Sequence, residues 1–584
     1  MEANQTQTFP AMNRPTLKLA LLFGILALFV SGCQKDNIVE IDPIATDTTD
    51  DDIANTTFAQ TVSVVFSTNG NATVEGATDD FTVTINGNDV TIVYSGDEYV
   101  MYELLGTTTD GFFKLYSSRK QGITLNDTHI TNPNGAAINV QGPQSDPNKG
   151  KRTFIKLTGD SCLADGTSYT DTPSTEDEKA AMFGEGQFIF CGDGSLNVVA
   201  TGKNGIVSDD YLHFQSGTVD VTSSAGHGMR GQDYILVSGG TLTVSTSANM
   251  KKGLSTDGYV IINGGQTTIN VSGGTAYDDE DGEYTGSAGI KADGYFRMSD
   301  GILSITNTGT GGKGISCDGN GYFDGGTVEV CAQGSNYGSN GGGGFPGGGN
   351  NSSTESVAAK GIKCDGNLLF TGGQVTVNSS SHEAIEAKGS ITITGGEVVA
   401  ISQADDAINS GSDFTISGGY VYGYSAGNDG FDANGNFYLK GGVVFVTGTT
   451  SPEVAIDANT EGGYKMYLTG GTLVAIGGLE SGSSLSQSCY SAASWSQNTW
   501  YAMTVDGTTW AFMTPSRGGT PLVVSGAATP VLQSGVSASN GTSHLGGLLF
   551  ESPYITGGTS VSLSSYTGGN GGGGGPGGGG HGPF

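Results

Sequence analysis

Glu386, Asn409, Asp432 and Asp457 recur about every 23 residues, each directly after a large apolar residue (Ile385, Ile408, Phe431, Ile456). A second acidic column, Glu383, Asp406 and Asp429, precedes the small residue of the same units, with His382, Asp405 and Asn428 beside it. Where such units lie side by side, carboxylates about 5 Å apart repel, and each raises its neighbour's cost of ionisation. A Ca2+ ion, which takes roughly six to eight oxygens, removes that penalty, with backbone carbonyls completing the shell. The two columns predict calcium sites on Glu383, Glu386, Asp406, Asn409, Asp429, Asp432 and Asp457. The competing reading is a solvated acidic edge with loose sodium.

Two further patterns could carry chemistry. In Tyr420-Val421-Tyr422-Gly423-Tyr424, and at Phe445 one unit beyond Tyr422, period-two alternation places the aromatics on the outward face. Exposed as a platform, Tyr420, Tyr422, Tyr424 and Phe445 would stack sugar rings; the alternatives are cross-strand pairing that steadies a sheet, or a covering loop. Lys252, Lys313 and Lys360 share one position, with Lys291 and Lys363 nearby. Such lysines suit the carboxylates of an acidic polysaccharide. One of them could also act as the base of a calcium-assisted lyase. The plainer account makes them solvated neighbours of Asp257, Asp318 and Asp365. No nucleotide fingerprint, zinc motif or serine triad is legible, and the GxG strings precede no helix.

The elements that must position these residues are repeats. AAKGIKCDGNLLFTGGQVTVN (358–378) is followed by HEAIEAKGSITITGGEVVAIS (382–402), DAINSGSDFTISGGYVYGYS (406–425) and DGFDANGNFYLKGGVVFVTG (429–448). Each unit has a small-plus-apolar pair, a polar turn, a short alternating strand, a Gly-Gly corner and a second strand. A fixed period of this length predicts an all-β parallel β-helix solenoid with about 23 residues per coil. The boundaries expected are irregular opening rungs over 57–159, regular coils over 160–480, a β-rich cap over 481–567 that holds all three tryptophans, and a disordered glycine tail over 568–584. An acidic insertion (273–287) and a glycine-rich one (334–357) interrupt the period.

The formal net charge of −33 excludes nucleic acid as a partner. Residues 1–32 read as a signal peptide: Arg14 and Lys18 precede the apolar run 19–30, which is too short for a membrane span and ends in Ser31-Gly32-Cys33. Small residues before a cysteine resemble the bacterial lipobox, in which that cysteine is lipidated. Residues 33–56, rich in Asp and Thr, read as a disordered tether. Cys317 and Cys364 occupy the same repeat position, and Cys162 and Cys191 flank an acidic segment. Either pair could form a disulfide in an oxidising compartment or remain as buried thiols.

With the lipobox, the GI-x-x-DG turn and the GG-x-V-x-V strand in place, the chain resembles the bacterial extracellular carbohydrate-binding β-helix proteins over roughly 153–478. KGIKCDGNLLFTGG is a representative phrase. The resemblance implies a right-handed parallel β-helix, calcium, and cellulose-like or pectic polysaccharide; the family is similar in shape to β-helix pectate lyases. The function expected is therefore a non-catalytic, calcium-dependent polysaccharide-binding lipoprotein, monomeric and lipid-anchored at the surface of the bacterial outer membrane. A pectate-type lyase and a structural adhesin are the alternatives.

Overall fold

The computed structural model describes residues 48–143, 151–170, 172–173, 176–338 and 356–568. The chain divides into Met1–Thr48, of which Thr48 alone is described, and Thr49–Phe584. The signal segment, Cys33, most of the glycine-rich insertion and the tail beyond Gly568 lie outside the described residues. Among the described residues no helix is long and apolar enough to cross a membrane. The last part of the expected tether is ordered: Thr49–Asp51 and Ile53–Asn55 form 3-10 turns, and Asp51 is buried.

Alternation in the sequence becomes alternation in burial. In Gln374–Ser379, Val375 and Val377 point into the core and the residues between them do not. Neighbouring repeats pair in parallel with like residues opposite one another: Val375 faces Val398, Val398 faces Val421, and Val421 faces Val444. Aromatic side chains stack in the same way inside, as with Phe323 and Phe370 at 4.8 Å between ring centroids. Each such side chain contributes about 1.5–3 kcal/mol through removal from water. At the Gly-Gly corners the chains nearly touch: a Cβ on Gly396, whose φ is +79°, would stand 2.7 Å from the Gly372 carbonyl carbon.

The all-β class stands, but the β-helix solenoid is corrected. The largest sheet has 30 strands, and ten of its parallel strands close on themselves as a barrel with extra strands attached. The circuit runs from Gln121–Asn132 through Thr153–Thr158, Phe188–Gly192, Tyr211–Phe214 and Tyr234–Val237 to Tyr259–Val271. It returns through Thr241–Thr246, Thr218–Ser223, Ser195–Ala200 and Asp160–Asp165 to its start. The reason lies in two long strands that do not break at the expected corner. Gln121–Asn132 pairs by its first half with one ladder and by its second half with another, and Tyr259–Val271 does the same across Gly264-Gly265. A second, 14-stranded sheet carries the small-plus-apolar positions.

After the repeats, Leu522–Ser525 joins the largest sheet antiparallel to Thr472–Ile476, and six further strands form a separate antiparallel sheet. Cys317 and Cys364 face each other on adjacent strands and are joined by a disulfide, with Cα atoms 4.7 Å apart. Cys162 and Cys191 are free thiols, because their strands belong to different ladders. The disulfide spans 47 residues. Replacing both of its cysteines with alanine is expected to cost about 2–4 kcal/mol, read as a lower denaturant midpoint at an unchanged m-value.

Candidate functional site

The strands Ile385–Ala387, Ile408–Ser410 and Phe431–Ala433 pair in parallel, and Ile456 bridges on from Phe431. Their first residues, Ile385, Ile408 and Phe431, are fully buried, so the residues that follow point to the opposite face. Glu386 faces Asn409, and Asn409 faces Asp432. Two residues before each strand begins, Glu383, Asp406 and Asp429 are buried at the sheet edge, whereas Glu386, Asn409, Asp432 and Asp457 are half-buried. The Asn409 amide donates to Asp406 Oδ2 at 3.1 Å and to Asp432 Oδ2 at 3.0 Å, which ties the two columns together.

Charge divides the row into two parts. Lys360 Nζ lies 3.1 Å from Glu383 and 2.5 Å from Glu386, and His382 Nδ1 contacts Glu383 and stands 3.0 Å from Asp405. Burial alone would lower the His382 imidazole, but hydrogen bonds to Asp405 and Glu383 raise it to about 9. Asp405 is held at about 2 against its burial, chiefly by His382. Beyond this point no Lys, Arg or His among the described residues makes an ion pair with Asp406, Asp429, Asp432 or Asp457. Burial, and then the charges of Asp432 and Asp405, push Asp406 up to about 9. Burial comes first for the others too, raising Asp429 to about 8, Asp432 to about 6, and Asp457, which shares a hydrogen bond with Glu480, to about 9. These four carboxylates have no counter-charge among the described residues, whereas the three side chains whose ligand atoms all lie within 4.8 Å of one another are His382, Glu383 and Asp405.

The exposed aromatic platform is corrected. Tyr422 is 6% exposed and Phe445 1%, because the antiparallel C-terminal sheet lies over them. Phe445 meets Phe512 at 5.0 Å, and Tyr420, half-buried like Tyr424, stacks on His544 at 3.8 Å. A different aromatic group is exposed. The acidic insertion folds as a hairpin of Ala276–Asp278 and Glu283–Thr285 in which Tyr277 and Tyr284 are paired, and Tyr284 packs on Tyr337 at 5.1 Å. Tyr277 is 49% exposed. The sequence signal for this cluster is the pair Tyr277 and Tyr284 flanking the acidic run, which the charge of that run masks. The hairpin leads into Ala288, which pairs with Lys252 and Lys313, so it rises from the sheet edge that later carries Glu383 and Asp406.

The lysines do not act as one column. Lys252 is buried and donates to Met250 O at 2.5 Å and Gly286 O at 2.7 Å; burial, then Lys313, lowers it to about 7. Burial, followed by Lys363 and Lys360, lowers Lys313 to about 8. Lys291 pairs with Asp293 and Asp318, and Lys363 with Asp365. The neighbours-of-aspartate account thus fits Lys291 and Lys363, whereas Lys360 serves the carboxylate row.

The model of one family, described as carbohydrate-binding domain-containing protein, matches residues 86–281 and 248–407. No curated protein matches. Among solved structures, a polysaccharide lyase-like protein from C. thermocellum, a gadolinium derivative, is similar over 44% of this chain and 94% of its own, at 21% identity and a TM-score of 0.34. That likeness is too slight to carry an argument. The two family matches overlap, cover more than half of the chain, and run through the tyrosine hairpin and Lys360 as far as Asp406. The chain belongs to the family of carbohydrate-binding domain-containing proteins.

Proposed function

We propose that this protein is a calcium-dependent polysaccharide-binding lipoprotein of the bacterial envelope, anchored through Cys33 to the outer membrane and facing outward. Its carboxylate face binds its polymer, cellulose-like or pectic, without cleaving it. The observation that carries the reading is the run Asp406, Asp429, Asp432 and Asp457, packed at one sheet edge without a cationic side chain. Calcium held there would bridge protein carboxylates to hydroxyls or carboxylates of the polymer. The Tyr277–Tyr284–Tyr337 group stands on the same edge. Four repeats separate Ala288 from Asp406 along that edge, about 19 Å at the usual strand spacing, enough for a short run of sugar rings.

The test is a calcium titration followed by affinity electrophoresis in polygalacturonate and a cellulose pull-down. Asp406→Asn with Asp432→Asn is expected to weaken calcium binding at least about tenfold, roughly 1.4 kcal/mol, and to abolish calcium-dependent retention. Asp318→Asn, whose carboxylate is already paired with Lys291 at 2.5 Å, leaves both unchanged. Equal effects from the two variants would sink the assignment.

A further inference from the structure

The ordered last part of the expected tether delivers a carboxylate to a histidine and serine far along the chain. Asp51, 1% exposed, accepts from Tyr211 Oη at 2.6 Å and pairs with Arg152 Nε at 2.8 Å through Oδ1. Its Oδ2 lies 2.7 Å from His213 Nδ1, and His213 Nε2 lies 2.8 Å from Ser238 Oγ. Burial would push the Asp51 carboxyl up, but hydrogen bonds from His213 and Tyr211 keep it below its usual range, so it remains an acceptor. The carboxylate therefore fixes the imidazole proton on Nδ1 and leaves the Nε2 lone pair facing the serine hydroxyl. His213 is buried and Ser238 is exposed at the end of its strand. The other acceptor within reach of the hydroxyl is Phe214 O, at 3.1 Å. Next in the chain come Gly239 and Gly240, whose amides donate to no backbone carbonyl among the described residues.

We propose that Ser238, His213 and Asp51 form a nucleophile, base and orienting acid that hydrolyse small O-acyl esters. The arrangement is recognised by geometry and roles and not by chain order. Ser238 Oγ bonds to the acyl carbon as its proton passes to His213 Nε2, and the amide after the serine, which has no backbone acceptor among the described residues, would donate to the oxyanion. Collapse breaks the ester C–O bond, and Nε2 returns that proton to the departing alkoxide, which leaves as an alcohol. Water then attacks the acyl-serine, again losing a proton to Nε2, and the carboxylic acid is released with Ser238 restored. An exposed nucleophile suits a short acyl group carried on a polymer; that the polymer is polysaccharide rests on the binding reading above, whereas the ester chemistry does not.

The full chain is treated with a fluorophosphonate probe and assayed with p-nitrophenyl acetate. Covalent labelling of the Ser238 peptide is expected, together with hydrolysis of the ester. Ser238→Ala should abolish labelling and lower hydrolysis about 10²-fold or more without moving the melting temperature, since that side chain is exposed. His213→Gln should lower both readouts while Ser238 remains in place. Absence of label on Ser238, or hydrolysis unchanged in Ser238→Ala, overturns the proposal and leaves the three residues as a clasp that fastens residues 49–55. Neither readout requires calcium or polysaccharide, so failure here is separate from failure of the binding reading.

Discussion

In the presence of a chelator, the melting temperature is expected to fall by about 5–10 °C between pH 5 and pH 9, and millimolar calcium to remove most of the fall. Asp406, Asp429, Asp432 and Asp457 are all raised, to about 9, 8, 6 and 9. A carboxyl raised by folding gives its full stability below the unfolded value near 4. That stability is lost progressively as the pH climbs toward the folded value. The window is therefore pH 4 to 9, and raising the pH destabilises the calcium-free protein. His382, raised to about 9, acts in the same direction, since its ion pairs with Asp405 and Glu383 are lost above that pH. Bound calcium would neutralise the carboxylates but not the loss at His382, so a small residual slope is expected. Asp406→Asn with Asp432→Asn should flatten the profile in chelator. A melt independent of both pH and chelator would remove the case for an ion at this edge.

Phe445→Ala is expected to cost about 3–5 kcal/mol and to leave polysaccharide binding per folded molecule unchanged. The ring is 1% exposed and lies between Tyr422 at 5.1 Å and Phe512 at 5.0 Å, so truncation opens a cavity between the repeats and the sheet that covers them. A platform that gripped sugar would give the reverse: nearly normal stability with lost retention. Denaturant midpoint and affinity electrophoresis, measured on the same sample, separate the two.

The columns were legible because parallel pairing places residues one repeat apart directly opposite, as with Glu386, Asn409 and Asp432. Two other features depend on what a periodic sequence does not encode. Gly264-Gly265 resembles the other corner pairs, yet the strand Tyr259–Val271 runs through it and closes the ten-strand circuit. Alternation gives the outward face of Tyr422 and Phe445, but outward does not mean exposed when a later part of the chain folds back. Nothing local announced that Phe512, Leu545 and Leu549 would cover it. The Asp51–His213–Ser238 contact shows the same limit, since 162 residues separate the carboxylate from its imidazole.

The antiparallel entry of Leu522–Ser525 beside Thr472–Ile476 has a consequence for self-association. A row of parallel strands ends in a line of open amide and carbonyl groups, which another copy could extend without limit. A strand running the opposite way occupies that line, and the sheet packed against it buries the adjoining apolar surface. The edge at Thr472–Ile476 is therefore closed to the addition of a strand from another copy.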